Sequence, residues 1–554
     1  MVAEYGVKYA VHIITNHFGD LVAKVCDCLL RRGPLTRQNI KRYTELSDEQ
    51  VKNALLVLIQ QNCVQAFSTE QPGTFGDAPK VNTQYAVLFD NILHRLRFAK
   101  FLTIVSQEFD KQCGELLQGL LEHGRLTLKQ MFDRAKASQQ EGNLVVLDSV
   151  REILLKLVTA HYVERCPAPE PLLMPTNEEE NPARKRGPKS AKKNEESETI
   201  EQQVIAAAVP MEAMRFSVVT EMEFDDGGEG KEKSKNRMIP GEKRKHHFLE
   251  SDDCGAGDEQ TVLYRANFEE FIRHLRHKAC IDNVRERLDD GAASVLSAML
   301  EATRSAEKKV KTKNSVPLSL SSIYEEVIKS EAGRNMTLDH VRASLVQLGQ
   351  PPFVKGSSDS YSIEFEKIIE IAQNDEVESI VLKRYGRDAY RIFRLLSKAG
   401  RLLETDKISD TTFVEKKDAP KVLYKLWKDG YLHMESFVIS VLVPENNFTS
   451  MYFVKIWLLK KLVVAGARQS QFLLWKVNKH ILWEHVLDEM FHAALNLSLR
   501  VACELDQEKE LLNLPADKRT GALQDRYNRL RKVRILMESS QMKLDDSIML
   551  FHDF

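Results

Sequence analysis

The sequence predicts a mainly α-helical protein with small β-wings, and three observations lead to this fold class. An amphipathic helix that runs through a short turn into a strand-like tail recurs four times. A pair of shorter helical stretches precedes these copies. After residue 480 the pattern changes to a heptad-like spacing of apolar residues. We therefore predict four tandem units of three helices and a β-hairpin, followed by a C-terminal coiled-coil helical hairpin.

The recurring helix begins after an acidic or polar residue and carries a valine followed by leucines at helical spacing. Such a stripe buries one face of a helix against the rest of its unit. The third copy is the weakest, because the letters GQPP interrupt its turn. The copies are residues 48–67, 147–166, 338–356 and 418–437, with the stripes Val51, Leu55 and Leu58; Val150, Leu154 and Leu157; Val341, Leu345 and Leu348; and Val422, Leu423 and Leu426.

Two shorter helices joined near a glycine precede the recurring helix. Gly33, Gly124 and Gly400 stand where a left-handed residue would end the first of them, and Thr36 and Thr127 are suited to begin the second. Helix, turn, helix, a longer helix and a two-strand hairpin together make the winged-helix plan. The predicted extended winged-helix domains are winged helix 1 at 1–93, winged helix 2 at 94–166, winged helix 3 at 261–370 and winged helix 4 at 371–480.

Residues 167–260 interrupt this series and are predicted to be a disordered charged linker, because their Pro-rich and charge-rich composition provides little apolar surface to bury. Within them, residues 204–219 could form a short docked segment. The basic cluster 183–193 has the composition of a nuclear import signal, and the alternative is a solvated linker whose charge is balanced by nearby acids. The candidate signal residues are Arg184, Lys185, Arg186, Lys189, Lys192 and Lys193.

Residues 481–554 carry apolar residues at alternating spacings of four and three, on both sides of a Pro/Gly break. This spacing predicts two helices that pack along a heptad seam as an antiparallel hairpin. An ordinary pair of amphipathic bundle helices is the alternative. The predicted seam residues are Trp483, Leu487, Met490, Leu497, Val501, Leu523, Tyr527 and Leu530.

Composition and motifs argue against several classes of protein. The 554 residues carry a formal net charge of −1, so binding to nucleic acid or membrane would have to come from local patches. The eight cysteines include no C-x-x-C pair for zinc, and we read them as reduced thiols. No hydrolase, metalloprotease or phosphate-loop signature stands in a suitable context. We therefore expect no cofactor, no metal and no catalytic residues.

The strongest local basic signal lies in the fourth unit. Four cations in 385–400 recur at spacings of four, three and four, so they form one stripe away from the apolar face of their helix. Three lysines line an exposed edge of the helix that follows. Such a face suits phosphate contact without base reading, or docking on an acidic protein partner. The candidate face consists of Arg387, Arg391, Arg394, Lys398, Lys421, Lys425 and Lys428.

Several stretches of this chain resemble one known family. They are HYVERCP at 161–167, LYRANFEEFIRHLRHKAC at 263–280, YGRDAYRIFRLL at 385–396 and DAPKVLYKLWKDGYL at 418–432. GELLQGLLEHGRLTL at 114–128 and KLDDSIMLF at 543–551 are similar to it as well. In this order and spacing they resemble the RNA polymerase III-specific subunit that anchors the initiation heterotrimer of that enzyme.

The resemblance implies four extended winged-helix domains, a C-terminal coiled coil and a non-catalytic subunit related to the general factor TFIIE. It implies partners at the clamp of the largest polymerase subunit, in the two other subunits of the heterotrimer and in TFIIIB, with a place in the nucleus. It also implies a part in promoter opening for small RNA genes such as tRNA and 5S rRNA, with non-specific contact to double- or single-stranded promoter DNA.

One segment departs from the family pattern. Residues 451–471 are apolar with interspersed lysines, where the family has a shorter polar loop between the wing strands. We expect either an ordered insertion or a disrupted fourth wing.

Two other classes of function remain open at the level of the sequence. A free-standing tandem winged-helix DNA-binding regulator would need side chains that read base edges. The first unit's third helix offers for this only Lys52, Asn53 and Gln60 among apolar residues. An enzyme without a recognisable motif is the other, and a pocket with converging titratable groups would reveal it.

Overall fold

The fold is mainly α-helical with small sheets, which confirms the predicted class. The computed structural model describes residues 3–71, 80–138, 143–173, 199–210, 212–218, 262–304, 306–307, 311–331, 333–357, 360–440, 469–515 and 518–554. The chain divides into two compact units, which we name the N-terminal unit (Ala10–Phe271) and the C-terminal unit (Met1–Tyr9 with Ile272–Phe554). Across the described ranges, every helix is too short or too polar to cross a membrane.

The N-terminal unit contains helices followed by strands in two successive series. Its elements are α1 (Glu4–Phe18, from Ala10 onward), α2 (Asp20–Arg32), α3 (Arg37–Thr44), α4 (Asp48–Gln60), β1 (Val64–Gln71), β2 (Lys80–Val87), α5 (Phe89–His94), α6 (Phe98–Glu108), α7 (Lys111–His123), β3 (Leu126–Thr127), α8 (Leu128–Ser138), α9 (Asn143–Thr159), β4 (Val163–Arg165), β5 (Leu172–Leu173), α10 (Ile200–Ala208), α11 (Glu212–Arg215) and β6 (Leu263–Ala266).

The C-terminal unit repeats the helix-to-strand order and ends in two long helices. Its elements are α12 (Phe268–Arg287, from Ile272 onward), α13 (Asp290–Arg304), α14 (Leu320–Lys329), α15 (Leu338–Leu348), β7 (Val354–Gly356), β8 (Tyr361–Ile363), α16 (Phe365–Tyr385), α17 (Arg387–Ala399), β9 (Leu403–Glu404), α18 (Thr405–Thr412), α19 (Ala419–Lys428), β10 (His433–Ser440), β11 (Gln469–Lys476), α20 (Lys479–Gln507), α21 (Lys509–Asn513) and α22 (Ala522–His552).

One backbone turn joins the recurring helix to its strand in all four predicted copies. A backbone N–H donates back to the carbonyl of the last buried leucine, which satisfies an orphan carbonyl at the helix end. The residue before the donor is left-handed in three copies, with φ of 57° at Asn62, 64° at His161 and 81° at Gly430. The donor–acceptor pairs are Cys63 and Leu58 (2.8 Å), Tyr162 and Leu157 (3.0 Å), Phe353 and Leu348 (2.9 Å), and Tyr431 and Leu426 (2.8 Å).

The third copy reaches the same hydrogen bond through a different chain path, in which Gln350–Pro351 is a cis peptide bond. The turn that made this copy the weakest in sequence therefore forms the same hydrogen bond as the others, with a different backbone conformation. The number of complete winged-helix domains stays a prediction, because a recurring turn does not by itself define a domain.

A strand that follows the predicted linker completes the sheet of the second predicted winged-helix domain. We call the four predicted domains repeats from here on. Strand β6 lies between β3 and β4, with Leu126 opposite Tyr264 and Val163 opposite Ala266. The structure thus places residues 262–271 with the N-terminal unit, whereas we predicted that the third domain begins at 261. The reason is non-local: strand pairing joins segments that are about a hundred positions apart in sequence.

The predicted disordered linker, 167–260, is in part ordered and packed. Strand β5 adds to β1 in parallel, with Ser68 opposite Leu172. Helix α10 buries Val204 against Phe67 and Ala86. The prediction of disorder therefore does not hold for residues 167–173 and 199–203, because their apolar side chains find partners that only the folded unit provides. The short docked segment expected within 204–219 is present in its described part, residues 204–210 and 212–218.

A buried ion-pair cluster holds the end of this docked segment. Arg215 pairs with the buried carboxylate of Glu164, which also accepts a hydrogen bond from Arg265 Nε at 2.8 Å. The adjacent Phe216 ring stacks on His161, with ring centroids 4.0 Å apart. A buried carboxylate needs such partners, because leaving it unpaired away from water is strongly unfavourable.

The fourth wing forms despite the unusual segment 451–471. Strands β10 and β11 pair antiparallel over eight residues, from His433 opposite Lys476 to Ser440 opposite Gln469. Positions 469–471 belong to β11, whereas 451–468 lie outside the described residues. The sequence departure therefore extends into the first three residues of β11, and the register of the strand pair is continuous.

Candidate interaction surface

The predicted basic stripe lies on the solvent side of α17. This helix buries Ala389, Ile392, Phe393 and Leu396, and it begins after Gly386 and ends at the left-handed Gly400. Arg387, Arg391, Arg394 and Lys398 are all exposed, as their spacing predicts.

Local acids neutralise this stripe only weakly. Arg391 lies 3.7 Å from Asp388, and Arg394 Nε lies 3.8 Å from Glu378. Arg394 also donates a hydrogen bond to the Tyr390 hydroxyl at 2.7 Å. Exposed pairs of this kind contribute about 0–1 kcal/mol, so a ligand can displace them at little cost. The stripe therefore remains available to an anionic ligand.

The three predicted lysines of α19 are exposed as well. The helix buries Ala419, Leu423 and Leu426 and turns the lysine edge to solvent. Lys421 pairs with Asp418 at 2.9 Å, and the Lys425 ammonium lies 5.2 Å from the centre of the Tyr385 ring. Because Tyr385 directly precedes the turn into α17, the lysine edge comes close to the start of the arginine stripe.

The surface around these helices is strongly positive for a chain that is nearly neutral. Residues 383–428 contain thirteen Lys and Arg against six Asp and Glu, a net charge of +7, whereas the whole chain has −1. A potential of this sign attracts anionic partners and accelerates their association.

A polar network fastens the turn after α19 to α20. The Tyr431 hydroxyl donates to Glu489 Oε2 at 2.8 Å, and Arg384 donates to both oxygens of the same carboxylate at 2.9 and 2.8 Å. Tyr385 donates to Asp429 Oδ2 at 2.7 Å. Burial, together with hydrogen bonding to a carboxylate, raises the pKa of both tyrosines well above their ordinary value.

The glycine of the KDGYL turn is required by this network. Gly430 has a φ of +81°, and a Cβ at this position would lie 2.9 Å from the His485 ring. His485 Nε2 also donates to the Asp429 carbonyl at 2.9 Å. The turn is thus both left-handed and covered by an imidazole, which excludes a larger residue.

Removing the Tyr431 hydroxyl is expected to loosen this junction. In Tyr431→Phe, α19 and β10 should lose about 1–2 kcal/mol of local stability, because a buried hydrogen bond to a carboxylate is lost. Hydrogen exchange of residues 419–436 measures the effect. Since the folded state raises the pKa of Tyr431, the contribution is present below pH 10.0, the ordinary tyrosine value, and declines as the pH rises above it.

Tyr424→Phe is the matched control, because it removes an exposed hydroxyl from α19, the helix that precedes the turn of Tyr431. Its effect should stay within about 0.5 kcal/mol. Equal exchange rates in the two variants would contradict a structural role for the Tyr431–Glu489 hydrogen bond.

The predicted heptad seam is only partly the one that the structure uses. Helices α20 and α22 pack side by side as a hairpin, and Arg526 pairs with Glu508 at 2.8 Å near its turn. Met490 and Leu530 are buried, and Leu523 is exposed. The remaining predicted seam residues are partly buried: Trp483, Leu487, Leu497, Val501 and Tyr527.

The most buried positions of α20 are shifted from that seam because the helix has additional neighbours. They are Leu482, Val486, Phe491 and Ala494, besides Met490. The ring centroids of Tyr9 and Phe491 lie 6.2 Å apart, and Tyr5 stacks on His492 with ring centroids 4.0 Å apart. The first residues of the chain thus pack against the C-terminal hairpin, which no local sequence pattern indicated.

The candidate nuclear signal, Arg184 to Lys193, lies outside the described residues and stays a prediction. Among the residues that are described, no group of His, Cys, Asp and Glu is arranged to hold a metal ion.

Sequence reasoning overlooked the aromatic residues of the same surface. Tyr424 and Trp427 are exposed on α19 between the lysines, and their rings contact each other at 5.4 Å between centroids. Phe413, in the turn before α19, is almost fully exposed. The detectable signal was the presence of two aromatic residues, Tyr424 and Trp427, among the lysines of a helix whose leucine stripe is already complete.

Comparison with protein-family models connects these surfaces to a known family. Residues 8–69 match the helix-turn-helix domain of RNA polymerase III subunit RPC82, and residues 152–372 match the RPC82 subunit model. Residues 377–438, which include the basic face, match the C-terminal winged-helix domain of POLR3C. The chain belongs to the RPC82 family of RNA polymerase III subunits. This confirms the resemblance inferred from sequence, and it confirms winged-helix domains as part of the fold.

Relatives of the family match this chain along its whole length. Three of them are named DNA-directed RNA polymerase III subunit RPC3. The Homo sapiens protein is 23% identical over 99% of this chain and 98% of its own length. The Danio rerio protein is 23% identical over 98% and 96%, and the Dictyostelium discoideum protein is 21% identical over 99% and 100%.

Proposed function

We propose that this chain is a non-catalytic subunit of nuclear DNA-directed RNA polymerase III. The observation that supports this most directly is the match to relatives named as RPC3 subunits over nearly the full length of both chains. Within that role it would belong to the initiation subcomplex, aid promoter opening for small RNA genes and leave catalysis to other subunits.

The proposed partners are other polymerase III subunits: the clamp of the largest subunit and the two other members of the initiation heterotrimer. TFIIIB is a further candidate. Charge and exposed apolar surface on the described winged helices favour docking of macromolecules over binding of small substrates. The basic cluster with Arg184, Lys185, Arg186, Lys189, Lys192 and Lys193 would direct the chain to the nucleus.

Contact with promoter DNA is proposed to be non-specific and to use the basic face. Seven cations there are exposed: Arg387, Arg391, Arg394, Lys398, Lys421, Lys425 and Lys428. Point charges on a helix surface contact phosphates and release counterions, which gives affinity without sequence information. The predicted winged-helix domains and the C-terminal hairpin would then act as docking modules along the polymerase.

Co-purification tests the central proposal. A tagged largest subunit of RNA polymerase III should bring down this chain in constant proportion through salt washes and size exclusion. Absence of the chain from the active enzyme would refute the assignment. Strong, sequence-selective duplex binding by the isolated chain would instead favour the free-standing regulator.

Charge reversal tests the DNA contact. Arg391→Glu, Arg394→Glu and Lys398→Glu together should weaken duplex binding by the full chain about tenfold at low salt and reduce the slope of log affinity against log salt. Fluorescence anisotropy with promoter and random duplexes measures both.

In the matched control, three exposed cationic residues of α22 are replaced by glutamate: Arg529, Arg531 and Lys532. This variant changes the net charge of the chain equally but should leave DNA affinity nearly unchanged. If both variants lose affinity alike, global charge and not the basic face accounts for DNA binding.

A further inference from the structure

The third helices of the four repeats share an exposed apolar position. The turn hydrogen bonds align Leu58, Leu157, Leu348 and Leu426, and the position two residues before each leucine faces solvent. The side chains at that position are Leu56, 55% exposed; Leu155, 53%; Val346, 73%; and Tyr424, 57%. A helix face that reads bases would carry several hydrogen-bonding side chains, whereas three of these helices carry an aliphatic residue at this position and the fourth a tyrosine.

This position is occupied by an aromatic residue only in the fourth repeat. Tyr424 and Trp427 contact each other on the outside of α19, and Trp427 is 36% exposed. Leu423 and Leu426 bury the inner face of the helix, so that Tyr424 points away from the core and Trp427 lies at its edge. Large exposed rings leave apolar surface in water, which favours their burial by a partner.

The charge around the rings indicates the chemistry of that partner. Lys421, Lys425 and Lys428 are exposed on the same helix, and the region 383–428 has a net charge of +7. Aromatic rings within a basic rim complement an acidic segment that presents apolar side chains.

We infer that the surface formed by Tyr424, Trp427 and the three lysines, named here the α19 aromatic face, binds an acidic protein segment with exposed apolar side chains. This inference deepens the proposed function. It rests on that function in one respect, namely that the segment is expected to belong to another polymerase subunit or to an initiation factor. The rings bury the apolar side chains of the segment, and the three lysines pair with its carboxylates. Contact with promoter DNA is then left to the cation stripe of α17.

Binding of a defined probe tests this surface in the full chain. The probe is a short fluorescent peptide composed of Asp, Glu, Phe and Leu, titrated by anisotropy. The double variant Tyr424→Ala with Trp427→Ala should bind it about tenfold more weakly, since exposed aromatic anchors carry much of such affinity. Tyr424→Phe with Trp427→Phe keeps two rings and should retain most of the binding. Replacing Asp and Glu of the probe by Asn and Gln should abolish its binding to the unmodified chain.

Val346→Ala is the matched control, because it removes an exposed apolar side chain from the equivalent position of another third helix in the same unit. It should leave peptide affinity unchanged. Unchanged affinity in the double alanine variant would overturn the inference. So would loss of single-stranded oligonucleotide binding in that variant while peptide binding persists, since the face would then be a base-stacking site.

A second measurement uses the polymerase that contains this chain. A photoreactive benzoylphenylalanine in place of Tyr424 should form adducts with a segment of net negative charge in another polypeptide. Adducts with DNA or with a basic segment, or a lack of adducts, would count against the inference. If the chain does not co-purify with the polymerase, the proposed function fails, and the peptide titration still decides the inference by itself.

Discussion

Gly124→Ala is expected to destabilise the N-terminal unit by about 3 kcal/mol or more, because left-handed strain and a backbone clash act together. Gly124 has φ 80° and ψ −65° at the end of α7, and the Arg125 N–H donates to the His123 carbonyl at 3.0 Å across it. This is a γ-turn of the rare, strained hand. A Cβ would stand 2.0 Å from the carbonyl oxygen of Gln60, which closes α4.

The two helix ends interlock through side chains as well. Gln60 Nε2 donates to the carbonyls of His123 and Arg125 at 2.9 and 2.6 Å. Asn62 accepts a hydrogen bond from Arg125 Nε at 2.9 Å. Displacement of the backbone in Gly124→Ala should therefore break these hydrogen bonds as well. Hydrogen exchange of residues 48–62 and of residues 111–127 should become faster to a similar extent.

Gly33→Ala is the control for this prediction. Gly33 also has a positive φ, of 78°, but a Cβ there would meet nothing within 4 Å. It should cost only the backbone strain, about 1–3 kcal/mol. Equal losses of stability in the two variants would show that the nearby Gln60 carbonyl does not exclude a side chain at position 124.

Deletion of residues 543–554 is expected to open the core of the third repeat. Ile548 and Met549 are buried, and Leu550 and Phe554 pack against the core that α13, α14 and α15 form. Each fully buried Ile or Met contributes about 1.5–3 kcal/mol, so the loss is comparable with the 5–15 kcal/mol that typically stabilises a domain. Hydrogen exchange of α13 and α15 should approach that of an unfolded chain.

Two hydrogen bonds from other parts of the C-terminal unit to the last residues of the chain would be lost with the deletion. Gln373 donates to the Leu550 carbonyl at 2.9 Å, and Lys311 donates to the His552 carbonyl at 2.8 Å. Phe554→Ala tests the prediction without truncation, because this ring packs against the core, and it should cost about 2–4 kcal/mol. Met542→Ala, at an exposed position of α22, is the control and should have little effect. Protection of α13 and α15 that survives the deletion would contradict the prediction.

The sequence predicted the helices and their inner faces well. Val51, Leu55 and Leu58 are buried, and so are Val150, Leu154 and Leu157 in the second copy. The exposed stripe on α17 was equally readable. These features depend on residues three or four positions apart, whose relation on a helix follows from backbone geometry alone.

The features that the sequence did not reveal depend on distant partners. Strand β6 was assigned to the wrong side of a domain boundary because its partners, β3 and β4, precede the linker. The segment that includes Arg215 was expected to dock, but the sequence did not identify Glu164 as the partner of that arginine. Neither contact leaves a periodic signal, because each depends on a single side chain or strand meeting a surface assembled elsewhere.

By itself, the sequence determined that this chain is a series of amphipathic helices with small wings, that its fourth repeat is basic, and which family it resembles. Only the tertiary structure decided that residues 199–218 in part pack on the N-terminal unit, that the chain's first residues join its last helices, and that Tyr424 and Trp427 stay exposed. The physical reason is range: helical periodicity and charge are local properties of the chain, whereas burial depends on every segment that folds against it.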